Sequence, residues 1–93
     1  MITKDGNSYR VQGPVTMANV TSLLTESAKL FDHEALIVDL TEVEEVDSSS
    51  VSLMLQWMRE AKQRNQTLSF TNLPNNLKSL ATLYGVLDII PQG

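Results

Sequence analysis

Apolar positions change period several times along the 93-residue chain, and each change marks the edge of an element. Tyr9 and Val11 alternate with Ser8, Arg10 and Gln12, and Asp5-Gly6-Asn7 just before them offers the positive backbone angles of a tight turn. The N-terminus therefore predicts a β-hairpin with one buried face. After Gly13 and Pro14 the period lengthens: Met17, Val20, Leu24, Ala28 and Phe31 recur at spacings of three and four. This is the core stripe expected of an amphipathic helix, with Thr16 as its N-cap. The run "ALIVDL", Ala35 to Leu40, is too short for a good helix and rich in β-branched residues, and predicts a central buried strand.

A second helix is expected from Ser48 or Ser49 to about Arg64, followed by a half-exposed strand in which Leu68 and Phe70 alternate with Thr67, Ser69 and Thr71. Pro74 suits a first helical turn, and Leu77, Leu80, Ala81 and Tyr84 form one apolar face that stops at Gly85. A short apolar piece, "VLDII", precedes Pro91. Strands alternating with helices force parallel pairing, and the hairpin adds an antiparallel part, so the sheet is mixed and one of its faces is partly open. The length suits a single domain over residues 1–93.

Composition narrows the function. A formal charge of −4 and the lack of any Lys or Arg cluster argue against a nucleic-acid partner. With no cysteine and a single histidine, His33, neither a thiolate nor a multi-histidine metal centre is expected. The opening "MITKDGNSYR" lacks the apolar segment of a signal peptide, and no run nears the roughly 20 apolar residues of a membrane span. The expectation is a cytoplasmic protein that reaches a membrane only through a partner.

No phosphate-binding glycine motif is present, and His33, isolated in "FDHEA", reads as a solvated loop histidine and not as a base for a serine nucleophile. Glu42, Glu44, Glu45 and Asp47 read as a solvated acidic edge, since their spacing does not converge them on one point. What stands out is "VDSSSVSLMLQW", Val46 to Trp57. Asp47 or Ser48 can cap the helix through its side-chain oxygen. On a helical wheel Val51, Met54, Met58 and Ala61 share the core side, while Ser48, Ser52, Gln56 and Arg59 share the open side. Leu53 and Trp57 widen the apolar arc, leaving two readings for the only tryptophan: a ring on the core margin, or an aromatic anchor for a partner.

The stretch "LIVDLTEVEEVDSSSVSLMLQWMREAKQRNQTLSFTNLPNNLKSLATLYGV" resembles the STAS domain family, in which a buried strand ends in "DL", a loop leads to "[VM]D[ST]" at a helix start, and a strand and an "L…L" helix follow. The likeness covers roughly Ala35 to Pro91, and upstream only the element order agrees. It implies an α/β fold, a mixed β-sheet with helices packed mainly on one face and an N-terminal β-hairpin. At "VDSSSV" the chain is similar to anti-sigma-factor antagonists, which implies that Ser48 is phosphorylated by a partner kinase; Ser50 stands where that branch usually has glycine. The ending "LKSLATLYGVLDIIP" is similar to MlaB-type subunits of Mla phospholipid ABC transporters, and this likeness looks the closer. It implies a non-catalytic STAS subunit without a cofactor that binds an MlaF-like ATPase in complex with a membrane permease. Such a subunit lies peripherally at the inner membrane and supports outer-membrane lipid asymmetry. The partner contact it carries over is Ser48; together with the open helix side, the expected partner-binding set is Asp47, Ser48, Ser49, Ser52, Gln56 and Trp57.

Overall fold

The structure, a computed structural model, describes residues 1–92. Its order is β1 (Ile2–Asp5), β2 (Ser8–Val11), α1 (Val20–Leu30), β3 (Ala35–Asp39), α2 (Ser48–Gln63), β4 (Thr67–Thr71), α3 (Asn75–Leu83) and a short 3-10 turn at Leu87–Ile89. The four strands form one sheet in sequence order, with β1 antiparallel to β2, and β2, β3 and β4 parallel. Each parallel crossover steps the same way along the sheet. With the right-handed rule for such units, α1 and α2 must cover the same face. The register agrees: Tyr9, Val11, Leu36, Val38 and Phe70 are buried on that face, while Arg10 opposite Asp39, and Ile37 opposite Ser69, occupy the other. Ile37 stays half-buried because no helix covers it, so the central strand is buried on one side and not on both.

Turn chemistry fixes the joints. Gly6 takes the positive φ of the hairpin, +63°, and Asn7 does not share it. Helix α2 ends on Asn65 in the left-handed region, with Gln66 N–H donating to Ala61 O at 2.8 Å; α3 ends likewise on Gly85, with Val86 N–H donating to Ala81 O at 2.9 Å. Both are Schellman closures, in which the residue after the cap must accept positive φ.

The core runs through an aromatic line. Ring centroids of Tyr9 and Phe31 lie 4.8 Å apart, those of Phe31 and Trp57 5.4 Å, and those of Trp57 and Phe70 6.4 Å. Each such pair adds about 0.5–1.5 kcal/mol beyond its area burial. The stripe of α1 departs from the expectation. The helix starts at Val20 and buries Leu23 and Ser27, with Val20, Leu24 and Leu30 half-buried, whereas Met17 is 75% exposed and Ala28 faces solvent. Ser27 fits the core because its hydroxyl donates to Leu24 O at 2.9 Å and accepts from the Trp57 indole N–H at 2.8 Å. A buried hydroxyl with both roles filled carries little desolvation penalty. Thr16 precedes the helix in a turn, and Asn19 takes the N-cap position. In α3, Leu77 and Ala81 are buried as expected, but Tyr84, past the last helical turn, is 52% exposed.

Candidate functional site

The parallel strands all finish at one edge, and the loops that leave it assemble the site. Residues 13–17 and 42–47 continue side by side beyond β2 and β3: Val15 N–H donates to Glu45 O at 2.8 Å, and Val15 bridges Val46 in parallel register. The zipper delivers Asp47 to the start of α2. Its extended backbone and carboxylate make it the N-cap, with Oδ1 accepting from Ser49 N–H at 2.8 Å and Oδ2 from Met17 N–H at 3.0 Å. One side chain thus caps α2 and pins the loop before α1. These bonds, that of Met17 foremost, hold the carboxyl below its ordinary pKa although partial burial works the other way.

The three serines that follow have separate fates. Ser48, the first helical residue, is exposed. Ser49 is half-buried and gives its N–H to the cap. Ser50 is 1% exposed, its hydroxyl donates back to the Asp47 carbonyl, and it lines a small internal space with Val43 and Leu53. One turn on from Ser48, Ser52 is exposed, and the ridge continues through half-buried Gln56 to exposed Arg59. Gln56 bonds along the helix, donating to Glu60 Oε2 at 3.0 Å and accepting from Arg59 Nη1 at 2.8 Å. Trp57 is not on this surface. It is 2% exposed, and its indole is fixed to Ser27, which places the ring in the core and removes it from any docking patch. The buried arc of α2, from Ser50 through Val51, Leu53, Met54 and Trp57 to Ala61, is wider than one core stripe because α2 packs against the sheet, α1 and α3 together.

A residue that sequence reasoning placed in the core joins the site instead. Met17 lies beside the cap it bonds, with its side chain in solvent. Its spacing to Val20 and Leu24 mimics a helical stripe, and nothing local to it announces the long-range bridge that stops the helix short. Asn76 of α3 also reaches in, donating to Glu44 O at 3.1 Å.

Among the described residues no histidine stands beside the exposed serines. His33 precedes β3 whereas Ser48 follows it, so five extended residues, roughly 16 Å, separate them. His33 lies 3.9 Å from Asp32, at the far edge of the sheet. Glu42, Glu44 and Glu45 are exposed, and among the described residues no three acidic or histidine side chains converge as a metal site requires. A groove of about 510 Å³ lies nearby between Thr41, Asn72, Pro74 and Lys78, but the serine ridge does not line it. Beside that groove Asp39 sits partly buried, which alone would raise its pKa; hydrogen bonds from Thr41 and Asn72, with Arg10 near, outweigh this and lower it. Among the described residues no helix is long and apolar enough to cross a membrane.

Against known proteins, the sequence model of the family described as "Mlab, STAS domain" matches residues 2–91. No curated protein sequence matches the chain. Among solved structures, the anti-sigma factor antagonist SpoIIAA in its unphosphorylated form is similar to it with a TM-score of 0.77. The identity is 15%, over 100% of this chain and 86% of that one. That likeness of fold takes in the N-terminal hairpin, where the sequence resemblance gives element order only.

Proposed function

The chain belongs to the Mlab-type STAS domain family, and on that premise we propose that it is a non-catalytic subunit docking on the ATPase of an Mla-type phospholipid ABC transporter. The observation that carries the reading is the Ser48–Ser52 ridge, exposed at the start of a helix whose position is fixed from below by Asp47 and Ser50. The backbone that presents these hydroxyls is preorganised, so little ordering entropy is lost when a partner covers them. In this reading the protein acts at the cytoplasmic side of the inner membrane, held there by the ATPase and its permease, and supports outer-membrane lipid asymmetry. The test is copurification with the ATPase subunit of the same genome. Ser48→Arg is expected to abolish it and to sensitise cells to detergent while leaving the fold intact; unimpaired copurification sinks the surface. Trp57→Ala, a core change, is not a test of docking.

One observation favours a second reading, a phosphorylation switch of the anti-sigma-factor-antagonist kind. Ser48 is exposed in the first turn of α2, where the helix dipole stabilises an added phosphate. Intact mass measured on protein from stressed cells would show that phosphate. A Ser48→Asp variant that binds its partner normally counts against the switch.

A further inference from the structure

The Ser48–Ser52 ridge is polar, yet the most exposed large apolar side chain near it is Met17, 75% in solvent. Its position is not incidental. The Met17 N–H is held by Asp47 Oδ2 at 3.0 Å, and its loop is bonded to the loop of residues 42–47 through Gly13 to Glu42 O at 3.4 Å and Val15 to Glu45 O at 2.8 Å. The methionine therefore stands on a fixed main chain beside the first turn of α2, with exposed Ala18 next to it. Methionine is flexible and polarisable, and suits insertion into a pocket of a partner.

The loop of residues 42–47 beside Met17 is acidic, and the nearest cation at this edge, the N-terminal ammonium, is engaged by Gln12 O and Glu26. Glu42, Glu44 and Glu45 are all exposed on the neighbouring loop. Between Arg10 and Arg59 the only cation in the sequence is Lys29, in the last turn of α1, and that helix ends at the opposite edge of the sheet. Arg10 lies on the open sheet face beside Asp39, and Lys78 lines the groove beside Thr41 and Asn72.

Building on the docking function above, we infer that Met17 is the apolar anchor of the docking site and that the ATPase surface it enters is an apolar socket rimmed by Lys and Arg. The serine ridge gives register, the methionine gives the buried contact, and the three glutamates steer the approach. The contact thus spans two elements, the loop before α1 and the start of α2, joined by Asp47.

The experiment measures binding of the full chain to the purified ATPase subunit of the same genome. Met17→Ser should weaken binding roughly tenfold or more and Met17→Leu should restore it to within about threefold, as a hot-spot apolar contact requires. The backbone N–H that bonds Asp47 survives both changes, so melting temperatures should match the wild type. Glu44→Lys with Glu45→Lys should slow association and reduce its dependence on salt. Leu83→Ser, at an exposed apolar site on the far end of α3, should change nothing. Unaltered binding by Met17→Ser, with Ser48→Arg still disruptive, overturns the anchor and leaves the docking function standing. Failure of the wild-type chain to bind overturns both.

Discussion

Each end of the sheet is tied by an aspartate, and the two ties differ in kind. Where the parallel strands finish, Asp47 spends its carboxylate on backbone N–H groups, of Met17 and Ser49. Where they begin, Asp32 accepts from side chains, from Lys4 Nζ at 2.8 and 2.9 Å and from the Tyr9 hydroxyl at 3.0 Å. Backbone donors cannot swing away, and salt screens them little. The Lys4–Asp32 pair has side chains 35% and 57% exposed, so it is screened and contributes modestly. The difference separates the roles of the two edges. At the edge that presents the serines the aspartate holds main chain and leaves the exposed Ser48 and Ser52 hydroxyls out of the tie, whereas at the other the tie runs between side chains.

The largest expected effect removes what both edges share. Trp57→Ala empties the centre of the aromatic line and unties Ser27, and should cost roughly 3–5 kcal/mol in denaturant unfolding. Next comes the direct contrast. Asp47→Ala, losing a cap and a loop tie, should lower Tm by roughly 5–10 °C, nearly independent of salt. Asp32→Ala should lower it less, and added salt should shrink the difference from wild type. The reverse order, or equal salt dependence, breaks the comparison.

pH sharpens it further. Both carboxyls titrate below their ordinary value, Asp32 through Lys4 first and then Tyr9, and Asp47 through Met17 first. The unfolded chain then takes up these protons first, so their stabilisation is complete above about 4 and drains away as pH falls below it. At high pH the edges part. Lys4 is raised by its bond to Asp32, and Tyr9 by burial and then by Asp32, so their contribution is complete below about 10 and lost as pH rises past it. Nothing at the Asp47 cap titrates there. Melting curves should show Lys4→Met flattening the alkaline limb and Asp47→Asn altering only the acid one. The smallest effect is Ser48→Arg on the fold itself, within about 2 °C of wild type in Tm, as for other exposed positions.

Much of this architecture is legible in the sequence because each element has its own period. Alternation gives β2 and β4, the spacing of three and four gives the helices, and Asp47 before a serine run gives the start of α2. Two of the misreadings, at Met17 and Ser27, share a cause. Met17 fits an apolar stripe but sits just outside a helix, and Ser27 looks too polar for a core in which Trp57 supplies its missing partner. Such exchanges depend on contacts some thirty residues apart, which no local period encodes. For the same reason the wheel places Ser48 and Ser52 on the surface but leaves Trp57 between core and interface. The bond to Ser27 decides it.

That bond also makes the molecule its own optical instrument. The only indole is sealed from water at the junction of α1, α2 and the sheet, with its N–H engaged. Its emission should be blue-shifted in the native protein and move to longer wavelength when α1 parts from α2. A partner seated on the opposite side of α2 leaves the fluorophore's surroundings untouched. Any spectral change on complex formation would therefore report a rearrangement propagated through the helix, and separates rigid docking from an induced shift without an added label.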